Sequence, residues 1–251
     1  MSSEKATAIV LRSIDFSESS SIVTLFTREF GKIHGMAKGA RRPKGPFEGA
    51  LDLLALSRIV FLRKSSDALD LLTEAKLERR FRPAGGDLSS LYAAYYVAEL
   101  LGELTDDYDP HPELFDAADQ ALAELRAPGG VARSLLRFEL TALRVLGHLP
   151  SLADCVECGR PVETGRRVHF SPLAGGVLCP TCRAGKKQVI SLSPEVLSVL
   201  AKFADADAES WRELEIDRGT YGELRGVLNN YITNLLGRRL VMPGYLARLT
   251  N

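Results

Sequence analysis

The chain has 251 residues, 45% of them apolar, and its 32 basic side chains are balanced by 32 acidic ones. That is ordinary globular composition, and the length suits one large domain or two to three small ones. No stretch nears the ~18 unbroken apolar residues of a membrane span, since even the richest, 51–62, contains Asp52, Ser57 and Arg58.

Met1-Ser2-Ser3-Glu4-Lys5 leads into a strand-like segment with no apolar signal-peptide core, so a cytoplasmic setting without a membrane partner is expected. The first 82 residues then read as all-β. Ala6 to Arg12 is rich in β-branched residues and ends near Ser13-Ile14-Asp15-Phe16, a turn region. Ser21 to Thr27 is a second strand, closed by the hairpin-like Arg28-Glu29-Phe30-Gly31, and Lys32 to Ala37 is a third. Two longer runs, Leu53 to Lys64 and Ala68 to Phe81, flank the polar break Ser65-Ser66-Asp67. Five short strands are the number an oligonucleotide/oligosaccharide-binding (OB) barrel needs, though five strands also build SH3-like barrels and small sandwiches.

Between the third and fourth strands lies a basic loop. From Arg28 to Pro46 there are six cations, Arg28, Lys32, Lys38, Arg41, Arg42 and Lys44, against the single acid Glu29. Gly39, Gly45, Pro43 and Pro46 hold the segment as an exposed loop, and clustered cations there suit a phosphate backbone. OB folds combine such loops with aromatics on which bases stack. Phe26, Phe30 and Phe47 are the aromatics within reach, although Phe26, inside a strand, is better read as core.

At Pro83-Ala84-Gly85-Gly86 the pattern changes from strand to helix. Asp87 is a plausible N-cap for a helix carrying Leu88, Leu91, Tyr92, Tyr95, Tyr96 and Leu100 at helical spacing. Leu114 to Leu125 gives a second helix, stopped by Pro128-Gly129-Gly130, and Leu135 to Leu146 a third, stopped by Gly147. Beyond the cysteines, Ser193-Pro194-Glu195 opens a fourth helix with a capping side chain and Pro at its first position. Thr220-Tyr221-Gly222-Glu223 has the form of a capping box and opens a fifth.

Cys155-x2-Cys158 and Cys179-x2-Cys182 use every cysteine in the chain. Two such knuckles let four thiolates converge on one Zn²⁺ at about 2.3 Å, and in a reducing compartment a metal is favoured over disulfides. Residues 168–170 and 176–178 read as a short hairpin joining the knuckles. Four thiolates close the shell, so the ion is expected to be structural; His169 in place of one thiolate is the lesser alternative, a surface histidine the simpler reading.

Charge divides along the chain: residues 1–82 hold 15 basic and 10 acidic side chains, 83–154 hold 4 and 12, 155–190 hold 6 and 2, and 191–251 hold 7 and 8. This suggests separate surfaces for separate partners. Phosphate-loop, dinucleotide-binding, metalloprotease and serine-hydrolase motifs are absent, and the four histidines are scattered. No enzyme is expected.

The string Ala8 to Arg12, then Ser17-Glu18-Ser19 with Ile22 to Thr27, then Gly31-Lys32 and Lys38-Gly39-Ala40-Arg41-Arg42 running to Phe47-x-Gly49-Ala50-Leu51, resembles the RecO family of DNA repair proteins. The four cysteines and Tyr231-Ile232-x-x-Leu235-Leu236-Gly237-Arg238-Arg239-Leu240 extend the likeness. The resemblance implies an α+β chain: an OB barrel over 1–82, a helical domain over 83–150 and 187–251, and a zinc module over 151–186. It further implies binding of single- and double-stranded DNA, annealing of complementary strands, and action with RecR that helps RecA displace single-stranded-DNA-binding protein. The family docks the acidic tail of that protein among its helices. Some relatives lack the cysteines, which agrees with a structural ion. The rival readings are a zinc-stabilised protein adaptor without DNA affinity and a metal-dependent hydrolase.

Overall fold

The computed structural model describes residues 2–42, 45–64, 68–206 and 210–249. Five strands form the N-terminal part: β1 (Ser2–Asp15), β2 (Ser21–Thr27), β3 (Gly31–Ala37), β4 (Leu56–Arg63) and β5 (Asp70–Arg79). They close into a barrel in the order β1-β2-β3-β5-β4. The long β1 makes closure feasible. Its first half pairs with β4 and its second half with β2, and an irregularity between Val10 and Arg12 bends it from one partner to the other. The β3–β5 pairing is parallel and short, from Gly35–Asp70 to Ala37–Leu72. This order and the parallel closure select the OB arrangement among the five-stranded alternatives. Inside, Val10, Val23, Leu25, Ile33, Phe61 and Leu72 alternate with outward residues along their strands and fill the core.

Helices α1 (Leu88–Leu104) and α2 (Pro112–Glu124) follow. Asp87 caps α1 as expected, accepting from the Ser89 amide and the Ser90 hydroxyl. Phe26 is a core residue on the outer side of the barrel wall, its ring stacked 6.1 Å from that of Phe115 in α2. Where β3 runs past the end of β5, the α1–α2 connection takes its place: Asp107 bridges to Lys32, and the Tyr108 amide donates to the Lys32 carbonyl at 2.9 Å. Gly31 shows why a glycine ends the β2–β3 turn. Its φ is +70°, and a Cβ there would collide with the Asp109 backbone.

Contacts group residues 1–131 and 245–251 into one compact unit and 132–244 into a second. The sequence pattern changes at 83, whereas this grouping cuts at 131/132, because α1 and α2 pack with the barrel. The second unit holds α3 (Val131–Val145), a three-stranded sheet of β6 (Val168–Ser171), β7 (Gly176–Leu178) and β8 (Ile190–Leu192), the single turn α4 (Pro180–Arg183), α5 (Pro194–Ala204) and α6 (Arg218–Leu236). The sheet order is β7-β6-β8, so the expected hairpin is present and gains a third strand. Leu136, Leu140 and Leu143 of α3 share one core with Val168, Phe170 and Val177 of the sheet and with residues of α5 and α6. The cysteine-bearing segment is therefore floored by the helical core.

Two expectations at helix ends resolve differently. Ser193 caps α5, accepting from the Val196 amide. The expected capping box at Thr220–Glu223 is not formed: α6 begins earlier, at Arg218, with Asp217 as its cap. Glu223 instead accepts from the Ser193 amide and hydroxyl and from Arg167. A last helix, α7 (Met242–Leu249), had no counterpart in the sequence reading. Among the described residues, no helix is long and apolar enough to cross a membrane.

Candidate functional site

The metal-capable site is built by two different turns. In the first, the Gly159 amide donates to the Cys155 carbonyl at 2.8 Å, the Cys155 amide donates to the Arg160 carbonyl at 2.8 Å, and Gly159 sits at φ +70°. In the second, Cys179 precedes the single helical turn α4, Pro180 occupies its first position, and the Arg183 amide donates to the Cys179 carbonyl. The four sulfurs all lie within 4.8 Å of one another, with Cys158 and Cys179 Sγ atoms 3.9 Å apart. A tetrahedral ion bound at 2.3 Å requires sulfurs about 3.8 Å apart. The donor set therefore fits one four-coordinate ion, and among the described residues no histidine joins it.

Burial alone would raise the Cys155 thiol, but backbone amides of Cys179, Glu157 and Cys158 outweigh it and bring it down to about 6. Amides aimed at sulfur in this way favour thiolate, the form that ligates metal. Cys155, Cys179 and Leu178 form a small dry cluster, backed by Val162 and Val189.

The six cations expected to meet phosphate have different surroundings. Lys32 turns inward: its side chain is 14% exposed, and its ammonium donates to the Gly102 and Thr105 carbonyls and lies 3.6 Å from Asp107. Arg28 is held in a two-pronged pair by Asp116 at 2.8 and 2.9 Å. The contrast between a basic front and an acidic middle is thus partly internal. Asp107, Asp116 and Asp119 engage Lys32 and His34, Arg28, and Arg79 of the barrel. Lys38, Arg41 and Arg42 are exposed on the β3–β4 loop, and Lys44 lies outside the described residues. The loop is folded rather than loose: the Arg41 amide donates to the Ser19 carbonyl, that of Arg42 to Gly39, and that of Gly45 to Arg42.

The aromatics named from sequence do not serve the loop. Phe26 and Phe47 are buried, and Phe30 packs edge-on against Phe61. The exposed aromatic beside the loop is Phe16, in the β1–β2 turn, which the sequence reading treated only as turn. Its signal was an aromatic where turn chemistry calls for a small or polar residue. Of the cations near the cysteines, Arg166, Arg167 and Lys186 pair with Glu163, Glu223 and Glu157, and Arg160 sits against the Cys158 sulfur.

Comparison with known families matches residues 1–81 to "Recombination protein O N terminal" and residues 85–241 to "Recombination protein O C terminal". A Rhodopirellula baltica protein named DNA repair protein RecO is 44% identical over 262 residues, covering 95% of this chain and 97% of its own. The same name is carried by an Anaeromyxobacter dehalogenans protein at 37% identity, covering 96% and 95%, and by a Halalkalibacterium halodurans protein at 30%, covering 98% and 94%. Barrel, helices and cysteine module all fall within these matches, and the chain belongs to the recombination protein O family.

Proposed function

We propose that this chain is a DNA-binding recombination mediator in DNA repair, acting in the cytoplasm at the nucleoid. It binds single- and double-stranded DNA, anneals complementary strands, and acts with RecR to load RecA onto strands coated by single-stranded-DNA-binding protein. The observation that carries the reading is the folded loop of exposed Lys38, Arg41 and Arg42 on an OB barrel, in a chain whose relatives are named DNA repair proteins. Lys44 belongs to the same loop in sequence. Lys32, turned inward, leaves the proposal as a phosphate contact and holds the acidic segment to the barrel, whereas Arg28, exposed in its pair with Asp116, stays in it. In this division of labour the barrel, 1–82, takes the nucleic acid, and the module 151–186 holds one Zn²⁺ on Cys155, Cys158, Cys179 and Cys182. The ion supplies folding energy, not chemistry.

The test is a titration of the full-length protein against single- and double-stranded oligonucleotides at two or more salt concentrations. Replacing Lys38, Arg41 and Arg42 by Ala should weaken binding to both. On single strands it should lower the slope of log K against log salt by roughly 2, at ~0.7 per phosphate. Wild-type protein with no DNA affinity at physiological salt would favour the protein-adaptor reading; an unchanged slope in the variant would move the DNA surface off this loop.

A further inference from the structure

We propose that the exposed sulfur of Cys158 is an oxidation site for hydrogen peroxide, and that its oxidation closes a disulfide to Cys179 and opens the metal module. This rests on the zinc reading above and concerns how the four thiolates react once they hold the ion.

The four donors are unequal. Cys155 is 1% exposed and Cys179 9%, whereas Cys182 is half-buried and Cys158 lies exposed. One flank of the site is dry, with Leu178, Val162 and Val189 packed around Cys155 and Cys179. The other flank meets water, because residues 156–160, the turn that carries Cys158, are all exposed. The thiolate is the reactive form of cysteine, and metal ligation keeps all four in that form, so access decides which is oxidised first. That one is Cys158.

Its partner is already in place. The Cys158 and Cys179 sulfurs are 3.9 Å apart, van der Waals contact that a disulfide shortens to ~2.05 Å. Cys179, although buried, is not sealed: it also lines an open cavity of about 520 Å³ together with Val162, Leu178, Arg167 and His169. Hydroxide expelled at the second sulfur therefore has a way out.

One peroxide balances the reaction. The Cys158 thiolate attacks one oxygen of hydrogen peroxide; an S–O bond forms, the O–O bond breaks, and hydroxide leaves. The Cys179 thiolate then attacks the Cys158 sulfur, forming the S–S bond and expelling the second oxygen as hydroxide. Together the two sulfurs lose two electrons, and the peroxide gains them. Two of the four donors are then consumed, and Cys155 and Cys182 alone cannot close a tetrahedral shell. Metal-binding energy in such a module is folding energy, so the module loosens, while β1 to β5 keep their own core. In a reducing compartment the bond is transient, which makes the change a reversible switch. Arg160 sets its threshold: the guanidinium lies against the Cys158 sulfur and draws on the electron pair that must attack.

The test uses full-length, zinc-loaded protein, hydrogen peroxide and a coloured zinc chelator. Peroxide should release one zinc per chain together with one disulfide, which peptide mapping finds between Cys158 and Cys179. Trp211, the sequence's one tryptophan, is 5% exposed in the core that floors the module, and its emission should move to longer wavelength in step. A thiol reductant with added zinc should reverse all three changes. Arg160→Ala should keep its zinc and release it roughly threefold faster, since a thiolate freed of one donor is the better nucleophile; a wild-type rate overturns Cys158 as the first sulfur to react. A disulfide between any other pair, or release with no disulfide, overturns the proposal. Fresh protein with under half an equivalent of zinc sinks the zinc reading and this one together. Bound zinc that excess peroxide fails to release sinks this one alone.

Discussion

Lys32 and Arg41 stand nine positions apart in a segment that reads as uniformly basic, yet one is closed off by two carbonyls and the other lies exposed beside the Asp15 carboxylate. The cations were legible in the sequence; their partners were not, because Gly102, Thr105, Asp107 and Asp116 reach them only through folding across 70 or more positions. Phe16 was hidden for the same reason: an aromatic in a turn looks alike whether or not it packs. Glu139 is the other residue that only the fold explains. Its side chain is 0% exposed and accepts from Arg225, itself 16% exposed, which also donates to Asn229. Glu139→Ala would remove the buried carboxylate that pairs with the Arg225 guanidinium and should cost about 3–5 kcal/mol. Replacing Glu139 and Arg225 together by Met should recover most of that loss, since neither charge is then left alone. Urea melts of the single and double variants check this; a single variant within 1 kcal/mol of wild type by those melts would mean that water reaches the pair.

At the scale of elements, strands and caps followed local chemistry where partners are close in sequence. Asp87 and Ser193 cap the helices they precede because the amides they satisfy are two or three residues away. The Thr220–Glu223 pattern misled because Glu223 had a better use, closing Ser193 and Arg167 across the second unit, while Asp217 offered α6 an earlier start. The cysteines were the most legible element, since each two-residue spacing pairs two sulfurs and the hairpin between the knuckles was also readable; the added strand β8 was not, having only three residues and no turn signal of its own. Fresh protein should carry one zinc per chain by metal analysis. Cys155→Ser, at the buried end of the site, should lower the melting temperature and expose Trp211, whose ring belongs to the core that floors the module. Hydrogen exchange in β1 to β5 should change little, because those strands have their own core. Under half an equivalent of zinc, or barrel strands that lose protection together with the module, would contradict a local structural ion.

For the molecule as a whole, a net charge of zero conceals an arrangement. Part of the acidic block neutralises the barrel from one side, at Arg28, Lys32 and Arg79, and the β3–β4 loop keeps its cations exposed. Composition by blocks could not show this, and neither could it show that α1 and α2 join the barrel's unit, because that depends on contacts such as Phe26 on Phe115. The arrangement bears on strand annealing. Two complementary strands repel through their phosphates, and a surface that screens one backbone while leaving base edges free lowers the barrier to pairing. Once paired, stacking and base hydrogen bonds hold the duplex, so no nucleotide hydrolysis is needed, and the sequence has no phosphate-binding loop to support it. The protein should therefore accelerate annealing of complementary oligonucleotides without ATP, and rising salt should suppress the effect. A strongly basic protein would also speed pairing by condensing DNA, but this chain has no excess of positive charge with which to do so. The Lys38/Arg41/Arg42 variant should lose most of the acceleration, and an unrelated protein with as many surface cations should not supply it. If that control anneals equally well, or if annealing requires ATP, the barrel loop is not the agent of pairing.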